Sequence, residues 1–277
     1  MLSDKKIGFI GGGQMGEAIF SRIVASGEVK AADVHVTDIS AGRLEQLHEK
    51  YGVTTHLNDD SNTGALEIVK TADIVVFAVK PQFARPVLAG VSGAFRPQQL
   101  VVSIMGGITL DFLAEYFPKN PVLRVMPNTP MLVRKGVAGI AANQLAQGEY
   151  AQLGVEMFNL VGRSYLLPEN LIDPLTSVSG CSPAFAYLFI EAMADGGVEK
   201  GLPRDMAIQL AAQALAGSAE MVLQTGKHPA QLKDSVCSPA GSTIVGVHVL
   251  ERGGFRGTVM NAVTESCDKM IEVGKKA

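Results

Sequence analysis

Short apolar runs separated by helix-period stretches set the rhythm of the first half of the chain. Residues 6–10 (KIGFI), 33–37 (DVHVT) and 53–56 (VTTH) are short and rich in β-formers, and the second alternates apolar with polar positions. Residues 73–79 (DIVVFAV) and 100–105 (LVVSIM) are nearly unbroken apolar runs. Such runs belong to central parallel strands covered on both faces. Residues 122–126, 137–142 and 164–167 predict further strands, with a helix at 149–160 before the last. Helices are also predicted from Glu17 onward and from a Ser40 cap through Tyr51. The alternation predicts an α/β domain over residues 1–165.

Past Pro168 the strand-like alternation stops. Residues 184–194 (AFAYLFIEAMA) are apolar almost all round, which predicts a helix buried on every side. Residues 205–224 carry Ala207, Leu210, Ala211, Ala214, Leu215, Met221 and Val222 at helical spacing. Residues 166–277 therefore read as an all-helical domain, and that much helical surface in so short a segment predicts that a second copy of the chain covers part of it.

Candidate chemistry sits where strands end. Gly11, Gly13 and Gly16 fall at G-x-G-x-x-G spacing between the first strand and the first helix. The first permits a sharp turn, the second has no Cβ to hold a diphosphate away, and the third lets the helix lie against the strand. Free amides and the helix dipole there favour phosphate. The domain is thus expected to be a Rossmann-type doubly wound sheet. Asp38 lies about twenty residues past the loop, where a carboxylate holds the ribose 2′-OH of NAD. The plainer alternative is a helix cap with Ser40, while Arg43 one turn later, folded back, would suit a 2′-phosphate. Residues 78–81, Gly106-Gly107 and the stiff Pro127-Asn128-Thr129-Pro130 loop follow strand ends where a ligand or a plain turn would both fit. Near the far end, Ser238-Pro239-Ala240-Gly241 cannot easily be helical whereas residues 244–251 can, so Gly241, Ser242 and Thr243 mark a helix start. That start either holds a carboxylate or is capped by its own Ser242 or Thr243.

Composition narrows the class. With 277 residues, 47% hydrophobic and 18% charged, the chain has interior enough for two domains. A net charge of -3, without basic blocks interleaved with aromatics, gives nucleic acid nothing to bind. The expectation is no signal peptide, no apolar run of roughly 18 residues to span a bilayer, and a cytoplasmic location. The 3 cysteines are far apart, as reduced thiols, and the 5 histidines form no metal-ligand pattern, so no metal is expected.

Several stretches together resemble one family. IGFIGGGQMG at the front, AVKPQ at 78–82, VVSIMGGIT at 101–109, RVMPNTP at 124–130, SVSGCSPAF at 177–185 and LKDSVCSPAGSTI at 232–244 are similar to the pyrroline-5-carboxylate reductases along nearly the whole chain. The resemblance implies a Rossmann domain, a helical dimerisation domain, a homodimer or higher homo-oligomer, and reduction of 1-pyrroline-5-carboxylate to L-proline by NADPH, with NADH possible. It implies dinucleotide contacts at Ile10, Gly11, Gly12, Gly13, Gln14, Met15, Asp38, Asn58, Ala78, Val79, Lys80, Pro81, Ile104, Gly106 and Ser235. It implies substrate contacts at Glu169, Gly241, Ser242 and Thr243, with Thr243 on the ring nitrogen as the catalytic residue. Many relatives have two adjacent glycines and two threonines where this chain has Ala240-Gly241 and Ser242-Thr243, and Asp38 would repel a 2′-phosphate. A β-hydroxyacid dehydrogenase of the same two-domain plan would need a proton donor, with Lys200 and Lys233 as candidates. A non-catalytic NADP-binding sensor would bind cofactor without turnover.

Overall fold

A computed structural model of the chain describes residues 1–274. Two compact units emerge, one formed by Met1–Gly180 with the chain end from Cys267, the other by Cys181–Ser266.

The first unit alternates strand and helix as the apolar pattern requires. In chain order it runs β1 (Ile7–Ile10), α1 (Gln14–Ser26), β2 (Val34–Asp38), α2 (Ala41–Tyr51), β3 (Thr54–Leu57), α3 (Thr63–Thr71), β4 (Ile74–Phe77), α4 (Ala84–Val91), β5 (Leu100–Ser103), α5 (Leu110–Tyr116) and β6 (Val122–Pro127). β7 (Gly136–Ala142), α6 (Glu149–Asn159), β8 (Gly162–Leu166) and α7 (Ile172–Ser179) complete it. The strands form one eight-stranded sheet in the order β3-β2-β1-β4-β5-β6-β7-β8. Successive residues of the central strands face opposite layers. Ile74 and Val76 join a core with Phe20, Ile23, Leu47 and Met157 from α1, α2 and α6. Val75 and Phe77 join another with Ile68, Leu88 and Leu113 from α3, α4 and α5. Helices on both faces make the sheet doubly wound, and the chain order reverses between β1 and β4, where such sheets bind ligands.

The expected strands are present, but β7 departs from simple winding. It pairs antiparallel with β6, and β8 runs parallel to β7. Only a short 3-10 segment, Thr129–Val133, joins β6 to β7, too little chain for a parallel crossover. The unit also continues past residue 165. A Cβ on Gly139 of β7 would meet Leu175 at 2.9 Å and Ile172 at 3.2 Å, so the bare backbone there lets α7 pack on the sheet.

The second unit contains α8 (Ser182–Glu199), α9 (Arg204–Thr225), α10 (Pro229–Ser235), α11 (Ser242–Arg252) and the start of α12 (Phe255–Gly274). Its all-helical character matches the expectation; residues 275–277 lie outside the described residues. The expected burial of residues 184–194 does not hold within one chain: α8 buries only Ala194, while Tyr187 is 63% and Leu188 66% exposed. α9 likewise buries only Ala207 and Ala211. No apolar run among the described residues reaches 18, yet by length and average composition α9 could span a bilayer over its 22 residues. Its alanines raise the average although Gln and Ser interrupt every apolar run.

One buried charge fastens the end of the first unit. Arg124 on β6 is 6% exposed; its guanidinium donates to Glu169 at 2.9 Å and Asp173 at 3.2 Å. Arg124→Met would leave both carboxylates facing an apolar site without a cation. The two acids keep some solvent, so the expected cost is about 2–3 kcal/mol, read as a lower midpoint in urea unfolding with an unchanged m-value.

Candidate active site

The glycine loop follows β1. Gly11 has φ +112 and donates its amide to Thr37 O at 2.9 Å. A Cβ there would meet Ala78 O at 2.7 Å, and one on Gly16 would meet Gly11 O at 2.7 Å. These two glycines let backbone touch backbone. Gly13 is different: it caps α1 in an extended conformation with no side-chain capping bond, and a Cβ on it would meet nothing within 4 Å. The space before the first amides of α1 is open. That cradle, over a helix start at the sheet's switch point, fits the diphosphate of a dinucleotide.

Beside the glycine loop, β2 and α2 build a charged edge, where sheets of this kind receive the adenosine of a dinucleotide. Asp38, the last residue of β2, accepts the Gly12 amide at 2.9 Å through Oδ2 and the Ser40 amide at 3.1 Å through Oδ1. Ser40 caps α2 by accepting from the Arg43 amide at 3.3 Å. The cap is thus Ser40's, and Asp38 instead braces the glycine loop. Arg43 donates its Nε to Gly12 O at 2.8 Å and pairs through Nη2 with Glu17, which also accepts from Lys50 at 3.1 Å and Tyr51 at 2.6 Å. Burial works against ionising Glu17, but the bonds from Tyr51, Arg43 and Lys50 outweigh it and hold the carboxyl down to about 2. Asn58 donates its amide to Asp38 O at 2.9 Å, and its side-chain oxygen accepts the Ala65 amide at 3.0 Å. Sequence reasoning missed the Glu17 hub; a lone acid in a helix's first turn gives no sign of partners thirty residues away.

Ends of the next strands line up beside the loop. Ala78 donates to Ile10 O at 2.9 Å, Lys80 and Pro81 begin a 3-10 turn, and Ile104 donates to Phe77 O at 3.1 Å. Ile10, Ala78 and Ile104 therefore succeed one another at the carboxyl ends of the adjacent β1, β4 and β5. Gly106 and Gly107 follow, the latter at φ +78. Asn128 turns inward, donating to Ser179 O at 2.9 Å and accepting the Val137 amide at 2.8 Å. Glu169 Oε1 accepts both Arg124 and the Leu110 amide, the latter at 2.7 Å.

In the helical unit, Gly241 is the cap of α11 and no side chain caps it. Ser242 and Thr243 occupy the first helical positions, exposed, and among the described residues neither hydroxyl is engaged by a partner. The self-capping alternative therefore falls, leaving amides and two hydroxyls free at a helix start, the equipment for a carboxylate. The preceding turn has Gly241 N donating to Ser238 O at 3.1 Å, Pro239 next, and Ala240 at φ +58. That is a type II pattern with alanine where glycine is favoured. Ser235 turns its hydroxyl onto Leu232 O at 2.7 Å. Among the described residues no three or more His, Cys, Asp or Glu side chains gather as a metal site would require.

Two family models match the chain: the pyrroline-5-carboxylate reductase dimerisation domain over residues 169–273, and an NADP oxidoreductase, coenzyme F420-dependent, over residues 6–107. Pyrroline-5-carboxylate reductase of Escherichia coli (strain K12) is 42% identical over 98% of this chain and 99% of its own. That of Synechocystis sp. is 41% identical over 98% and 99%. Among solved structures, the pyrroline-5-carboxylate reductase of Coxiella burnetii superimposes with a TM-score of 0.88 at 32% identity, covering 97% of this chain and 98% of that one. The Plasmodium falciparum pyrroline carboxylate reductase with NADP bound gives 0.84 at 34%, covering 98% and 99%.

The glycine geometry separates fold from ligand binding. Gly11→Ala is expected to lower thermal stability by about 2 kcal/mol or more, because strain at φ +112 adds to the clash. Gly13→Ala should leave the melting temperature unchanged while weakening dinucleotide binding, read by titration calorimetry. Ala240→Gly removes the left-handed strain and should raise stability by about 1 kcal/mol in chemical denaturation.

Proposed function

The chain belongs to the pyrroline-5-carboxylate reductase family, and from that premise we propose that it reduces 1-pyrroline-5-carboxylate to L-proline, the last step of proline biosynthesis. The observation that carries the reading is the start of α11, which no side chain caps and where the hydroxyls of Ser242 and Thr243 have no partner among the described residues. A reduced nicotinamide dinucleotide, NADPH or NADH, supplies a hydride when bound at the glycine loop. Gly11, Gly12, Gly13, Gln14 and Met15 hold its diphosphate, Asp38 and Asn58 bound its adenosine end, and Ala78, Val79, Lys80, Pro81, Ile104 and Gly106 wall the nicotinamide side. Ser235 is assigned here to the cofactor's surroundings as well.

On the substrate side, the amides of Ser242 and Thr243 take the carboxylate, the Ser242 hydroxyl adds a donor, and Gly241, whose own amide holds Ser238 O at 3.1 Å, shapes the turn that presents them. The cyclic imine is protonated near neutral pH and is then electrophilic without further activation. Thr243 Oγ1 accepts from the ring N–H and fixes which face of the ring carbon is presented. As a C–H bond forms at that carbon, the C=N π pair moves to nitrogen, giving the neutral secondary amine. Orientation, not proton donation, is therefore the main demand. Glu169, committed to Arg124 and the Leu110 amide, serves by position.

The rival ketone reduction would need a lysine donor. Lys200 pairs with Glu199 at 3.2 Å and Lys233 with Asp234 at 2.8 Å. The hydrogen bond and charge of Asp234 raise the pKa of Lys233, making it a poorer acid. The working form is a homodimer or larger homo-oligomer assembled through the helical unit, whose large apolar side chains stand exposed in one copy. Free Cys181, Cys237 and Cys267 suit a reducing compartment, the cytoplasm.

Thr243→Ala should lower kcat/KM for pyrroline-5-carboxylate roughly ten- to hundredfold, the worth of one hydrogen bond, with the melting temperature unchanged. Thr243→Ser should recover most of the rate. Wild-type kinetics in the alanine variant would remove Thr243 from the reaction.

A further inference from the structure

Everything around the end of β2 bears on whether the ribose of the cofactor carries a 2′-phosphate. Asp38 uses one lone pair of each oxygen on the Gly12 and Ser40 amides, which fixes the carboxylate's plane. A carboxylate has about four such sites, so one on each oxygen remains to accept hydroxyls. Asp38 itself is half-buried, while its two apolar neighbours at the same edge, Ile39 and Leu57, are 80% and 56% exposed. Aliphatic side chains standing open beside a ribose acceptor suit the faces of an adenine ring.

The cations that would welcome a phosphate are already paired with groups of the fold. Arg43 holds the Gly12 carbonyl with Nε and Glu17 with Nη2, and Lys50 holds the other oxygen of Glu17. Glu17 stays ionised throughout the neutral range, since its hydrogen bonds overcome the burial that opposes ionisation. The cluster therefore contains two carboxylates and two cations, with no positive charge in surplus for a phosphate. Turning Arg43 toward a 2′-phosphate would leave Glu17 with Lys50 and Tyr51 alone and would release the glycine-loop carbonyl.

We propose that this chain selects the dinucleotide with a free ribose 2′-hydroxyl, NADH rather than NADPH, with Asp38 as the specificity-determining residue and Glu17 as the positioning residue that withholds Arg43. The proposal rests on the reading of the glycine loop as a dinucleotide site. Like charges brought together discriminate strongly between partners that differ by one phosphate.

Titration calorimetry of the full-length protein with NAD+ and with NADP+ tests it without turnover. Wild type is expected to bind NAD+ at least tenfold more tightly. Asp38→Asn keeps an oxygen for the Gly12 amide and removes the charge, so it should shrink that ratio at least fivefold. Glu17→Gln should tighten NADP+ severalfold with little change for NAD+, as Arg43 is freed. Equal affinities in wild type, or ratios that neither variant moves, would overturn the assignment while leaving the site itself intact. If neither dinucleotide binds, the reading of the glycine loop fails and takes the selectivity with it.

Discussion

The nucleotide-binding unit depends on three backbones meeting where a methyl group would not fit. The gaps at Gly11 against Ala78 O and at Gly16 against Gly11 O, both 2.7 Å from an ideal Cβ, bring α1 down onto the junction of β1 and β4. The consequences run sideways along the sheet. Because the loop sits that low, the Gly12 amide reaches Asp38 at the end of β2, and the Gly12 carbonyl reaches Arg43 in α2. Glu17, one turn into α1, then closes the ring by binding Arg43, Lys50 and Tyr51. A steric condition on glycines thus becomes a charge arrangement at the end of β2, the edge proposed to face the cofactor's adenosine.

The two helix starts proposed to hold ligands, one in each unit, lack side-chain caps and are preceded by different turns. At α1 a glycine caps without a side chain, and the loop's own bonds hold it in place. At α11 the capping residue is also glycine, but Ser242 and Thr243 follow it and the turn before it places Ala240 at φ +58. Alanine in that region costs on the order of 1 kcal/mol relative to glycine. This strained turn leads directly into the uncapped start of α11.

Much of this was legible in the sequence. Apolar runs located the strands, the glycine spacing located the cradle, and the break at residues 238–241 located the second helix start. What escaped was relational. The direction of β7 depends on how few residues join it to β6, a matter of turn geometry with no apolar signature. Asn128, read as part of a stiff loop between prolines, pins β7 and α7 together through its amide group. Arg124 is one polar position in a predicted strand, and nothing local points to its two carboxylates, which lie some forty-five residues away in sequence. Apolar periodicity also mistook exposure for burial in α8, because a helix hydrophobic all round cannot say whether its own chain or another copy will cover it.

On the proposed reading, the distribution of charge accounts for chemistry that asks for no ionisable catalyst. Asp38, Glu17, Arg43, Lys50, Arg124, Glu169 and Asp173 are all tied to partners that brace the fold. What is left unpaired at the two helix starts is neutral: peptide N–H groups and two hydroxyls. Neutral dipoles fixed by a helix hold anionic phosphates and a carboxylate without changing protonation state, and they need no reorganisation while charge moves. An iminium ion brings its own positive charge to the reaction and loses it as hydride arrives. A neutral oxygen on its nitrogen can therefore serve before and after transfer, whereas a carboxylate in that place would stabilise the cation and oppose its neutralisation.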